Sequence, residues 1–352
     1  MTTDLSIGTQ VRRLARWRAG ETVFWLLAFA TIFLFPNRYL ILTEIAWLAL
    51  FALSLDLILG YAGIVSLGHA AFFGVGAYAF GLLQQRVFAD LWFDLAGAVL
   101  VSAALGALVG ACVAHKRGIY FALLTIAFGQ VMWFVSVKWH AVTGGEDGLQ
   151  NIARPVLRLG VASLDLRSNE ALFYFCFVLF AASLVVLWRL VHSPFGRVLS
   201  AIRQNELRAA FVGYHVWLYK WLAITIASAF AGLAGAMFAL AQQSAYPNVM
   251  SLHSSGFVVM MVLIGGGLVS FWGPAIGAVV FILSRDVLGA ATETWLLWYG
   301  LLFVVMVLCK PEGVAGLWQQ LRQSWRRRAA LRSPAASPPA AALKTSAAHG
   351  PV

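Results

Sequence analysis

Charge is what this 352-residue chain has least of. Asp, Glu, Lys and Arg make up 11% of it, against roughly 25% in an ordinary soluble domain, while 61% is apolar. That shortfall excludes a water-soluble globular enzyme, and 25 Phe with 14 Trp exclude a solvated disordered chain over most of its length. Cysteine is scarce too. Cys112, Cys176 and Cys309 lie inside apolar runs with no CxxC or Cys/His ligand spacing, so they read as small buried hydrophobes. Chemical motifs are also missing. There is no GxxxxGK[ST] phosphate loop, no HExxH, no GxSxG and no carboxylate pair in a plausible cleft. The chain is expected to hydrolyse nothing itself and to bind no cofactor or metal.

What is present suits a bilayer. The formal charge of +11 is confined mostly to the ends, since residues 1–21 and 310–352 together hold +8 of it. Basic ends flanking apolar segments fit membrane topology and anionic headgroups rather than a groove tracking phosphates, so nucleic acid is not an expected partner. A spanning helix needs about 20 apolar residues. Ten segments qualify, at 22–36, 39–60, 61–83, 93–114, 118–137, 170–191, 217–243, 255–270, 272–290 and 295–309. The expected fold is therefore all-α, a polytopic membrane helix bundle of about ten transmembrane segments. Glycines in 61–83 and 255–290 allow some of these to be broken. With the amino terminus inside, 18 of the 25 Lys and Arg fall on the inner side, which supports the parity and places both termini in the cytoplasm.

The expected domains are a basic amino-terminal segment, 1–21, a membrane domain, 22–309, and a basic low-complexity tail, 310–352, suited to anionic lipid. Within the membrane domain, residues 138–169 form an outer loop with the turn-forming run Thr143-Gly144-Gly145-Glu146-Asp147-Gly148 and an alternating Val156 to Leu166 stretch. Residues 192–216 form an inner loop that reads as one amphipathic helix. Ser193 is its N-cap and Pro194 its first residue, Phe195, Val198, Leu199 and Ile202 form an apolar ridge, and Gly213 closes it. Such a helix either lies on lipid or docks its ridge into a groove on a cytoplasmic partner.

Several fragments, in order, resemble one family. They are Leu59-Gly60-Tyr61-Ala62-Gly63, Ser66-Leu67-Gly68-His69-Ala70-Ala71-Phe72-Phe73-Gly74, Thr143 to Leu149, the Ser193 to Gly213 loop with Tyr219-Lys220, Ser228 to Ala236, and Gly265-Gly266-Gly267 running to Trp272-Gly273-Pro274. Together they resemble branched-chain amino acid ABC transporter permeases, the LivM-like subunit in particular. The resemblance implies a second related permease, two cytoplasmic ATPases carrying ATP and Mg, an extracytoplasmic binding protein, and a bacterial inner membrane. It also implies that the inner loop is the ATPase-coupling segment, with Ser193, Pro194, Arg203, Glu206, Ala209, Ala210 and Gly213 as its residues. The familiar EAA triplet stands here as Glu206-Leu207-Arg208-Ala209-Ala210.

Gate or substrate-path candidates are Gly68, His69, Gly74, Asp56 and Gly266. His69 is eight residues beyond Tyr61, about 12 Å by helical rise, and an ionisable group at that depth is a functional candidate. Asp56, where the family more often shows Asn, and Glu44 are acids in apolar surroundings that could bind an ammonium or a coupling ion. Glu146 and Asp147 could meet the binding protein. Two other readings stay open: a permease for urea or short amides, and an ion-coupled secondary transporter working alone through Glu44, Asp56 or His69.

Overall fold

The computed structural model describes residues 38–87, 90–159, 162–267, 270–309 and 313–316. The expected basic amino terminus, the first span at 22–36 and nearly all of the carboxyl tail lie outside the described residues. The rest is a helical bundle built around one central helix.

That helix, α1 (Tyr39–Asp56), is apolar on every side, and every residue from Ala46 to Asp56 is buried. A helix with no polar stripe has no face for water, and much of it is covered by neighbouring helices. It widens into a π-turn, Leu57–Tyr61. The chain then runs non-helically to α2 (His69–Arg86). The expected continuous span over 61–83 is thus corrected. Gly63 takes φ +71°, which side-chain-bearing residues avoid, and helix resumes only at His69.

Two long helices follow, α3 (Leu91–Val113), capped by Asp90 on the amides of Trp92 and Phe93, and α4 (Gly118–Lys138). The short α5 (His140–Thr143) ends in left-handed Gly144. An antiparallel hairpin, β1 (Val156–Leu159) and β2 (Ala162–Asp165), pairs Val156 with Asp165 and realises the alternating stretch. The bundle resumes with α6 (Asn169–His192), then α7 (Pro194–Gln204), α8 (Glu206–Phe211) and α9 (Val216–Gln242). A 3-10 turn, Pro247–Met250, leads to α10 (Leu252–Gly265), α11 (Gly273–Ala291) and α12 (Trp295–Cys309). Among the described residues, six helices are long and apolar enough to cross a membrane: α1 with its π-turn, α3, α4, α6, α9 and α11. Helices α2, α10 and α12 overlap the expected segments 61–83, 255–270 and 295–309 without meeting that length and hydropathy.

Small residues set the packing at the centre. A Cβ on Gly76 would overlap the Gly232 backbone, and one on Gly235 would overlap the Phe73 carbonyl, so α2 and α9 touch main chain to main chain. Ser102 Oγ on α3 lies 2.8 Å from the carbonyl oxygens of both Phe72 and Ser228, tying α2, α3 and α9 together. At the hairpin end, Arg154 reaches the Ala241 carbonyl at 2.5 Å and Asn169 Oδ1 at 3.1 Å, satisfying the end of α9 and fastening it to the start of α6. On the same side Glu44 of α1 makes a bidentate pair with Arg285 of α11, 2.5 and 2.7 Å. That pairing accounts for Glu44 without a coupling ion.

Candidate functional site

The loop expected to be one amphipathic helix is two. Asn205 is extended, φ −163°, and its side chain accepts the Arg208 amide, so it ends α7 and caps α8. Ser193 stands at the N-cap position with extended backbone, but its hydroxyl donates to the Leu190 carbonyl, 2.6 Å, instead of capping α7. Pro194 is the first helical residue, and Gly213 closes the pair at φ +99° with open space where a Cβ would go.

The ridge of α7 does not face outward. Val198, Leu199 and Ile202 are buried in the chain itself, and Phe195 stacks on Tyr219 of α9, ring centroids 5.8 Å apart. Ala209 is buried beside Val198 and Ile202, whereas Ala210 is exposed. The outward apolar groups sit on α8 and just after it. Leu207 is 56%, Phe211 89% and Val212 72% exposed. Sequence reasoning missed these, because the break at Asn205 rotates the second half of the loop relative to the first.

Two polar ties fix this helix pair to the bundle. Glu206 bonds Lys220 Nζ at the start of α9, 2.7 Å, and Arg117 Nε in the α3–α4 turn, 3.0 Å. Lys220 is 2% exposed and also donates to the Lys116 carbonyl, 3.3 Å. Arg203 of α7 donates to the carbonyl oxygen of Gly60 in the π-turn, and its stem lies where a Cβ on Gly63 would stand. The π-turn leaves carbonyls without helical partners, and an arginine supplies donors for one of them.

Next to that tie lies Asp56, 1% exposed. It occupies a cradle of two glycines, since a Cβ on Gly60 or Gly267 would strike its Oδ1, an atom without a hydrogen-bond partner. Gly266 terminates α10 at φ +89° and lies against the start of α11, where a Cβ on Gly273 would meet its backbone. Thus Asp56, Gly266 and Arg203, far apart in sequence, converge where α1, α10 and α7 end.

The other path candidates gather elsewhere. His69, fully buried, places Nε2 2.9 Å from Ser54 Oγ and stacks on Phe51 at 5.6 Å. Ser54 spends its proton on the Phe51 carbonyl, 2.7 Å, so Nε2 donates and Nδ1 stays bare. The helical-rise estimate for His69 fails because residues 62–68 are not helical, yet Ser54 precedes Tyr61 by seven residues, about 10 Å, so the depth is similar. Gly68 admits the Thr125 carbonyl of α4 and Gly74 admits the Met250 side chain. Glu146 and Asp147 are exposed in a turn where Gly144, Gly145 and Gly148 all take positive φ. A further acid escaped notice: Asp94, in the first turn of α3, is fully buried with both carboxylate oxygens unpartnered.

A bundle of long apolar helices, some interrupted at glycines, with a jointed helix pair strapped to one end, defines a multi-pass membrane protein. The chain belongs to the family described as branched-chain amino acid transport system / permease component, whose model matches residues 37–309. It is 32% identical over 281 residues to the high-affinity branched-chain amino acid transport system permease protein LivM of Salmonella typhimurium, covering 74% of this chain and 66% of that one. The Escherichia coli LivM is 31% identical with the same coverage. The probable branched-chain amino acid transport permease protein LivM of Methanocaldococcus jannaschii is 25% identical, over 76% of this chain and 91% of that one. The match therefore spans just under two thirds of the length of the two bacterial relatives. No solved structure matches the chain.

Proposed function

We propose that this chain is the permease subunit of an ATP-binding cassette importer that passes branched-chain or related small amino acids across the bacterial inner membrane. Its partners are a second related permease, two cytoplasmic ATPases that hold ATP and Mg, and an extracytoplasmic binding protein. The chain itself is not an enzyme, consistent with its family of transport permeases. The α7 end faces the cytoplasm, with both termini, and the hairpin end faces out, where Glu146 and Asp147 meet the binding protein.

The observation that carries the reading is the double tie of the α7–α8 pair. A segment that merely rested on lipid would have no need of a buried lysine and a π-turn carbonyl as anchors. Here an ATPase engages Leu207, Phe211 and Val212 on the outward side of α8, with Ala210 and Gly213 at its edges. Glu206 carries the displacement to α9 and to the α3–α4 turn, and Arg203 carries it to the π-turn of α1 beside Asp56 and Gly266. Linked rigid elements transmit motion that a loose loop would dissipate. Ser193 and Pro194 set the angle at which the pair leaves α6.

Proteoliposomes holding the whole complex test this. Uptake of leucine, isoleucine or valine with ATP, and none with a non-hydrolysable analogue, is expected. Uptake of urea in place of amino acids changes the substrate class, and uptake by this chain alone under a proton gradient refutes the reading.

A further inference from the structure

Polar groups exposed at the depth of the bilayer interior need water or a polar partner, because hydrocarbon satisfies none of their hydrogen bonds. Gln130 is such a group. It is exposed on α4, 12 residues from Gly118 and eight from Lys138, about 18 and 12 Å from the two ends of that helix. His253 is a second. It is exposed on the first turn of α10, with its ring edge-on to Phe257 at 4.7 Å.

The helix that bears His253 begins inside the bundle and not at its rim. Met250, just before it, fills the space left by Gly74 of α2, and Ser255 Oγ accepts the amide of Ala70, the second residue of α2. Gln130 stands at the same level, because its neighbour Gly129 faces Gly68, and Gly68 caps α2. The start of α2 is thus flanked by α4 on one side and α10 on the other, and α4 and α10 also touch each other and the 3-10 turn. Toward the hairpin end the same strip continues through Asn248, exposed in that turn. Toward the α7 end it continues along α10 through Gly256, where a Cβ would meet nothing within 4 Å, and half-buried Met260.

We infer that Asn248, Gln130, His253, Gly256 and Met260 form one wall of the water-filled route through which the substrate crosses. The wall offers neutral hydrogen-bonding groups and one imidazole, with an open groove and a methionine below. That chemistry fits a small zwitterion with a short apolar side chain: the amide and imidazole meet its polar end, and the space at Gly256 admits its aliphatic end. The inference rests on the transport reading above and assigns this function to residues outside the coupling segment.

The test is cysteine accessibility in the assembled complex in nanodiscs, with Cys112, Cys176 and Cys309 first replaced by alanine. Asn248→Cys, Gln130→Cys and His253→Cys are compared with Leu100→Cys and Val178→Cys, whose positions are 68% and 64% exposed on the apolar surface of α3 and α6. The probe is a cationic, water-soluble methanethiosulfonate. Only variants that retain ATP hydrolysis are scored. The three wall positions are expected to react at least about ten-fold faster than the two controls, since a thiol in hydrocarbon does not ionise. Saturating leucine with its binding protein is expected to slow them. Reaction at the rate of the controls overturns the inference even in a complex that transports leucine. If the complex transports urea and not leucine while the three positions still label and urea protects them, the route stands and only the substrate class of the preceding section falls. A second readout needs no cysteine: Gln130→Leu is expected to lower uptake with ATP hydrolysis intact, and Gln130→Asn to restore it in part. Equal uptake by Gln130→Leu and the parent counts against the assignment.

Discussion

Removal of Glu206 should expose how much the buried Lys220 depends on it. Lys220 is 2% exposed, and its ammonium has two partners: the Glu206 carboxylate at 2.7 Å and the Lys116 carbonyl at 3.3 Å. Breaking a buried pair from one side costs about 3–5 kcal/mol, because the remaining charge stays desolvated. The Glu206 side chain is 21% exposed and the Lys116 carbonyl remains, so Glu206→Ala is expected to cost about 2–3 kcal/mol after that discount. Lys220→Met removes the ammonium and keeps the apolar stem. It should cost about 1 kcal/mol or less, and the double variant about the same. The double-mutant cycle should therefore return a coupling of about 2 kcal/mol. Denaturant titration of the purified chain in mixed micelles, followed by tryptophan fluorescence, measures it. In the assembled transporter the double variant should recover stability yet hydrolyse ATP with reduced uptake, because the tie between α8 and α9 is gone. A double variant less stable than Glu206→Ala, or a coupling below about 0.5 kcal/mol, would show that the ion pair does not hold the helices together.

Further outcomes follow from particular contacts. Arg203→Ala frees the Gly60 carbonyl and should uncouple ATP hydrolysis from uptake with little loss of folded protein in the membrane; Arg203→Lys, which keeps a single donor, should be intermediate. Gly63→Ala forces a side chain into left-handed backbone against the Arg203 stem, so uptake should fall as in Arg203→Ala at a stability cost of about 1–2 kcal/mol, read by the same titration. Gly76→Leu must part α2 from α9 and should cost about 3 kcal/mol or more, seen as loss of monodisperse protein in detergent. Arg285→Leu leaves Glu44 without its bidentate partner and should lower the unfolding midpoint, whereas Glu44→Gln with Arg285→Gln should recover much of it.

The long apolar helices were plain in the sequence because α1 with its π-turn, α3, α4, α6 and α9 announce themselves by length and composition alone, and their ends fell within a residue or two. Interruptions were less legible. The glycines of 61–83 and 255–290 allowed breaks there, yet only tertiary contact decides that helix resumes at His69, where Gly68 meets the Thr125 carbonyl. The helical character of the inner loop was legible through its amphipathic pattern and Pro194. Its outward face was not, because a periodicity count assumes one continuous helix and Asn205 divides it. Ion pairs such as Glu206 with Lys220, or Glu44 with Arg285, join residues 14 and 241 positions apart, and no local pattern states them. Asp94 escaped for a simpler reason: one acid near the start of a helix reads as solvated until its burial is seen.

The crossing of α2 and α9 at Gly76 and Gly232 has no side chain between the two backbones, so nothing there can compress or slide by changing rotamer. The two helices must swing as a unit. Under the proposed coupling, a pull on Lys220 at the foot of α9 would carry α2 along with it, and the chain would bend at left-handed Gly63 ahead of α2 rather than within the helices themselves.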